Sequence, residues 1–165
     1  LMPTLATIAE VAPEVRAGFA FRGTDLSPII SDAVENPGAP TREVQDVIHY
    51  VFDDDNIGQP DGQTSVTQPN HLRTVRDRTR KFTMYFDPQW VEPPVFEMYD
   101  LAADPLELRN LANPFAPLQF RADMFAEMLP VLLAQMAEKG TTPAGMPADL
   151  PLPTGPMGSL GSVGS

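Results

Sequence analysis

Two hydrophobic periods divide this chain, and their order limits what it can fold into. Over residues 81–86, KFTMYF, the apolar Phe82, Met84 and Phe86 alternate with Lys81, Thr83 and Tyr85. That period of two turns one face of a strand inward. Over residues 95–101 Phe96 and Met98 alternate with Glu97 and Tyr99 in the same way. HLRTVR, residues 71–76, precedes the first of these, with Asp77-Arg78-Thr79 short enough for a hairpin turn. Residues 46–52, DVIHYVF, are β-branched and aromatic and nearly apolar throughout, which predicts a strand buried on both faces or a central one. Beyond residue 117 the period changes: Leu118, Ala122, Phe125, Leu129, Leu132 and Met136 recur at three- and four-residue intervals and line one face of a long helix. Pro130 sits inside it as an expected kink, and Gly140 after Lys139 is its expected stop. A sheet with one apolar face and a helix with one apolar stripe bury them together or against a larger body. The expectation is an α+β fold: a four-stranded antiparallel sheet with a packed C-terminal helix.

The flanks read differently. Residues 3–11 predict a short helix with Leu5, Ile8 and Ala9 on its apolar side, ended by Pro13. Residues 26–34 predict another, with Thr24 or Asp25 as cap and Ile29, Ile30 and Ala33 buried. Asn36-Pro37-Gly38-Ala39-Pro40 reads as a linker, residues 53–68 as a loop, and the Pro-, Gly- and Ser-rich residues 141–165 as a flexible tail. The expected division is therefore 1–40, 41–140 and 141–165.

Composition excludes several functions. The net charge of -11 argues against nucleic acid, whose binding draws chiefly on Lys and Arg. Arg73, Arg76, Arg78, Arg80 and Lys81 nevertheless cluster, and are expected as a solvated ladder opposite Asp53, Asp54, Asp55 and Glu97. With no cysteine there is no disulfide, thiolate metal site or cysteine nucleophile in this chain. No apolar run approaches the roughly 20 residues that span a bilayer, so no membrane span is expected. The chain opens on Leu1-Met2-Pro3-Thr4, any leader would lie before it, and localisation stays open between cytoplasm and periplasm.

The segment YDLAADPLELRNLANP, residues 99–114, is the most informative. Asp104 suits an N-cap, Pro105 a first helical position and Glu107 the third residue of an acidic capping box. Asn110 suits a left-handed stop, with Leu111 tucked beneath it. The whole combination resembles the C-terminal signature of type I sulfatases, in which Glu-Leu-Tyr-Asp-Leu is followed by Asp-Pro-x-Glu and Asn-Leu. Glu97, Tyr99, Asp100, Leu101, Asp104, Pro105, Glu107, Asn110 and Leu111 match, and Met98 replaces a leucine. LMPTLATIAEVA resembles the family's Pro-Thr-Leu helix, RGTDLSPII its Gly-x-Asp-Leu-Ser-Pro segment, and LRTVRDRTRKFTMYF its Arg-rich hairpin, with Arg80 where an aromatic is frequent.

The resemblance implies that residues 1–40 end an α/β sulfatase core and that a smaller antiparallel subdomain follows. It also implies sulfate-ester hydrolysis in the full-length parent, through a formylglycine made from Cys or Ser and a divalent cation, usually calcium. Those groups belong to an upstream catalytic core of the same polypeptide, the implied partner, which would act on a small sulfate ester. No catalytic residue, metal ligand or cofactor transfers onto this chain. A phosphate or phosphonate ester hydrolase of the same superfamily is the nearest alternative, and a non-catalytic binding or assembly module the alternative from another class.

Few residues remain as candidates. DDDNIGQPDGQT places Asp53, Asp55 and Gly58 at the offsets of a calcium loop, but Ile57 and Thr64 occupy ligand positions, and the match fails. His49, inside an apolar strand, is expected as a satisfied core residue. His71 and Asn70, which follow the long loop, and Trp90, the lone tryptophan, are the candidate substrate-rim residues; packing is the competing expectation for Trp90. GSLGSVGS has the glycines of a phosphate loop without the strand and helix such a loop needs.

Overall fold

The computed structural model describes residues 1–40, 43–54, 71–113 and 118–150. It divides into two compact units, Leu1–Asp46 and Val47–Ser165.

The first unit carries three short helices: α1 (Met2–Ile8), α2 (Pro13–Ala17) and α3 (Ser27–Glu35). Pro13, expected only to end α1, opens α2 instead, because a proline at the first helical position loses no hydrogen bond. Neither Thr24 nor Asp25 is the N-cap of α3, which is Leu26; Asp25 Oδ1 still accepts from the Ser27 N–H at 2.9 Å. The stripes expected to be buried are not. Leu5 and Ile8 are 47% and 57% exposed, α3 contains no buried residue, and among the described residues of this unit only Thr4 and Ala6 are buried. Polar contacts hold the unit instead: Arg16 Nη1 donates to Thr7 Oγ1 at 2.8 Å, Thr7 Oγ1 to Asp25 Oδ2 at 2.6 Å, and the Leu26 N–H to Thr4 Oγ1 at 2.9 Å.

The second unit is a four-stranded antiparallel sheet in the order β1-β2-β3-β4, with α4 (Leu118–Lys139) packed against it. The strands are β1 (Ile48–Asp53), β2 (His71–Arg76), β3 (Arg80–Tyr85) and β4 (Val95–Asp100). β1, expected as a central or doubly buried strand, is an edge, with Ile48 and Tyr50 more than half exposed. Asp77 makes the hairpin turn between β2 and β3, its Oδ1 accepting from the Thr79 and Arg80 N–H groups at 2.8 and 2.7 Å.

The alternation fixes the faces. Phe82, Met84, Phe96 and Met98 point to the inner side, where they meet Phe125, Met128, Leu132 and Met136 of α4. The Phe125 ring stands edge-on to Phe82 at 5.6 Å and to Phe96 at 5.0 Å, a geometry the aromatic quadrupole favours. Each such side chain contributes about 2 kcal/mol on leaving water, so the sheet and α4 close a core between themselves. The helical stripe is shifted slightly from the expected one: Met128 is fully buried and Ala122 is exposed.

α4 runs through Pro130, which is exposed; the carbonyl deprived of its partner belongs to Ala126, also exposed, where water can bond it. Gly140 (φ +61°) ends the helix, with the Thr141 N–H donating to the Met136 carbonyl at 2.8 Å, as in a Schellman closure. Residues 141–150, expected as the start of a flexible tail, pack instead: Met146 and Leu150 lie against the core, and Trp90 Nε1 donates to the Ala144 carbonyl at 2.9 Å.

Candidate functional site

The residues singled out by sequence converge only in part. Asp53 and His71 are register partners at the end of β1 and the start of β2. His71, Arg73 and Val75 share the parity that turns inward, and all are buried. His71 Nδ1 donates to Asp53 Oδ1 at 3.2 Å, and Arg73 Nη1 donates to the same oxygen at 2.7 Å. Arg73 also gives Nη1 to the Leu72 carbonyl and Nε to the Thr141 carbonyl, at 2.9 and 2.8 Å. Its guanidinium lies 5.0 Å from the centre of the Phe86 ring.

Phe86 is the hub of this corner. His71 tilts against it at 5.6 Å, and Trp90 stacks on it at 5.3 Å with an interplanar angle of 12°. Trp90 takes φ +56°, and the Asp87 carboxylate turns the loop around it by accepting from the Gln89 and Val91 N–H groups at 3.1 and 2.9 Å. His71 therefore keeps only 5% of its surface exposed, and Trp90 is half-buried and packed as the competing expectation held. Asn70, Asp55 and Gly58 lie outside the described residues.

The electrostatics are those of a clasp. Burial raises the Asp53 carboxyl pKa, but the hydrogen bonds from Arg73 and His71 outweigh it, and the net effect holds the carboxyl below its usual range. His49, on the neighbouring strand, is half-buried. Burial lowers its pKa, so neutral Nδ1–H donates to the Thr74 carbonyl at 2.9 Å and Nε2 accepts from Thr141 Oγ1 at 2.9 Å. Thr141 is thus held by two strands at once.

The basic ladder proves less solvated than expected. Arg73 is buried; Arg80 pairs with Asp77 at 2.9 Å and with Glu127 of α4; Lys81 pairs with Glu107 at 2.6 Å and lies 5.7 Å from the Tyr99 ring centre. The burial of Arg73 was legible in its spacing, since it has the parity of Val75. What hid it was the ordinary rule that arginines face water.

The signature segment is built as a covered sheet edge. Asn110 does not take the left-handed geometry; its Oδ1 accepts from the Met98 N–H at 3.0 Å and the Ala112 N–H at 2.9 Å, while the Leu111 N–H donates to the Met98 carbonyl at 2.8 Å. The Met98 N–H and C=O, which β4 would leave open, are thereby paired. The left-handed residue is Glu107 (φ +57°), so the capping box does not form, and its carboxylate reaches Lys81. Asp104 Oδ2 accepts from the Arg109 N–H at 2.7 Å, and Asp100 Oδ1 from Ala102 and Ala103.

Among the described residues no group of three or more His, Asp or Glu side chains is placed to hold a metal ion. No helix among them is long and apolar enough to cross a membrane.

No family model and no curated protein matches the chain. Solved structures do. BT4656, in complex with its substrate D-glucosamine-2-N,6-O-disulfate, superimposes with a TM-score of 0.59 at 18% identity, over 88% of this chain and 25% of its own length. A protein assigned as a sulfatase from Bacteroides thetaiotaomicron VPI-5482 superimposes with a TM-score of 0.53 at 20% identity, over 92% of this chain and 26% of its own. The likeness is one of fold, and this chain spans about a quarter of each.

Proposed function

We propose that this chain is the C-terminal portion of a sulfatase-like hydrolase, and that its second unit is the subdomain which buttresses an upstream catalytic core. The observation that carries the reading is the coincidence of two independent signals. The Tyr-Asp-Leu to Asn-Leu signature forms one hydrogen-bonded edge cover on β4, and the fold holding it matches a quarter of two longer structures, one of them bound to a sulfated sugar. The first unit is compatible with it: Leu1, Met2, Leu5, Ile8, Val15 and Phe19 are 47–80% exposed, apolar surface that a larger body could cover.

On this reading the reaction is sulfate-ester hydrolysis by an upstream formylglycine beside a divalent cation, which would supply the nucleophile and the charge stabilisation of the sulfuryl group. This chain's residues build and orient. The rim role considered for Asn70, His71 and Trp90 takes a reduced form: His71 and Trp90 brace the ground beneath the rim through Asp53 and Ala144.

The test is an assay of the intact gene product on matched aryl sulfate and aryl phosphate esters, with peptide mass analysis of its nucleophile segment. Sulfate hydrolysis with a converted Cys or Ser upholds the proposal. An unconverted Thr or Ser with faster phosphate hydrolysis replaces it by the phosphatase alternative. Turnover unchanged by His71→Ala removes the bracing role.

A further inference from the structure

Residues 141–150, which follow α4, are tied to the second unit by three side chains from separate segments. His49 Nε2 of β1 accepts from the Thr141 hydroxyl at 2.9 Å, Arg73 Nε of β2 donates to the Thr141 carbonyl at 2.8 Å, and Trp90 Nε1 donates to the Ala144 carbonyl at 2.9 Å. Gly145 (φ +68°) passes close to the Trp90 ring, where a Cβ would stand 3.6 Å from Cδ1.

These ties lie near the surface. None of residues 141–150 is buried; Thr141, Pro143, Met146 and Leu150 are half-buried and the others are exposed. The core proper lies between the sheet and α4, where Phe82, Met84, Met98, Met128, Leu132 and Met136 are fully buried. A segment so lightly held opens at a lower free energy than the core beneath it. Trp90 adds a bias toward opening, because an L residue keeps a φ of +56° only while its contacts hold it there.

The latch stands among cations. The His49 Nδ1–H is committed to the Thr74 carbonyl. Arg73 of β2 and Lys139 of α4 act on the ring, and both are engaged with carboxylates of their own, Asp53 at 2.7 Å and Glu138 at 2.6 Å. His71 of β2 also pairs with Asp53, β3 and β4 turn Phe82, Met84, Phe96 and Met98 to this side, and Asp46 and Asp149 are exposed. Burial, and after it the two cations, hold the ring below the usual histidine range. On protonation the Thr141 hydroxyl can turn to accept from Nε2, so the bond itself survives. The new positive charge is what the closed corner tolerates poorly, and water relieves it once the segment lifts.

We infer that residues 141–150 are a proton-sensitive strap: protonation of His49 lifts them while the sheet and α4 stay folded, uncovering Trp90 and freeing the Arg73 Nε–H and Trp90 Nε1–H from the carbonyls that occupy them. His49 holds its proton more tightly with the strap off. Closure is therefore complete above about pH 6.5 and is lost as pH falls through the closed-state value.

The experiment uses the 165-residue chain, whose lone tryptophan gives one indole N–H resonance. Its protection is the hydrogen-exchange rate of free N-acetyltryptophanamide at the same pH divided by its own. At pH 7 it should lie on the order of a hundredfold below that of the Val75 and Met84 amides, because the strap opens without the core. It should fall about tenfold by pH 5.5, within the limit of tenfold per pH unit set by one proton. His49→Gln should abolish that fall, and His71→Gln should retain it. Thr141→Val removes only the hydroxyl and should lower protection about fivefold at every pH, the scale of one net hydrogen bond, which keeps the test open if His49→Gln does not fold. Indole protection equal to that of Val75 and Met84 overturns the inference, since the whole unit then opens together. So does protection that is independent of pH, unaffected by Thr141→Val, or still falling in His49→Gln.

Discussion

Asn110→Ala is the substitution that most directly tests how the signature segment works. One side-chain oxygen accepts two N–H groups, those of Met98 and Ala112, and Met98 is fully buried. Removing it loses two hydrogen bonds, each worth about 1 kcal/mol net, and strands the Met98 N–H at an edge sealed by Leu111, at a further cost of about 1–2 kcal/mol. The sum is about 3 kcal/mol, or roughly 10 °C in Tm for a unit of this size. Asn110→Asp keeps the acceptor and should recover more than half of the loss. The assay is urea denaturation of the 165-residue chain followed by fluorescence of Trp90, which is stacked on Phe86 and reports the second unit alone. If Asn110→Ala costs under about 1 kcal/mol, or Asn110→Asp is as damaging, the account of Asn110 as the acceptor that closes β4 is wrong.

Other outcomes follow from the same geometry. Arg73→Met leaves the Thr141 carbonyl without its donor and the partly exposed Asp53 with His71 alone, and should cost about 1–2 kcal/mol in the same denaturation; Arg73→Lys should not rescue it fully, because no ammonium can serve Asp53 and Thr141 with the fork of a guanidinium. The Asp53 pKa is depressed below 3.8, so its contribution to stability is present above that value and is lost as pH falls through the folded value; the denaturation midpoint should drop on acidification below about pH 4, and Asp53→Asn should flatten that drop. The His49 pKa is also depressed, and protonation therefore opposes the fold: stability should be full above about pH 6.5 and decline below it, and His49→Gln should remove that slope. Gly140→Ala forces an L side chain into φ +61° and should cost about 1 kcal/mol, with hydrogen exchange quickened chiefly in the last turn of α4.

Much of the architecture was legible in the chain itself, for a local reason. Phe82, Met84, Phe96 and Met98 alternate with polar partners, and Phe125, Leu132 and Met136 repeat with a helical period, so sheet, helix and the faces that join them follow from spacing alone. Gly140 marks the end of α4 because glycine takes a positive φ at little cost in any surroundings, whereas Pro13, which reads as a stop, opens α2. The tertiary structure decided where equally plausible local choices fell. An apolar strand does not encode whether it stands at the centre or the edge, and β1 is an edge because, among the described residues, β2 alone pairs with it. Glu107 had the spacing of a capping box but is left-handed, and its carboxylate pairs with Lys81 on a distant strand. Residues 141–150 looked like a tail by composition, yet Arg73, His49 and Trp90 from three separate segments meet there and bind it. Contacts of that kind join residues far apart in sequence, and no local spacing records them.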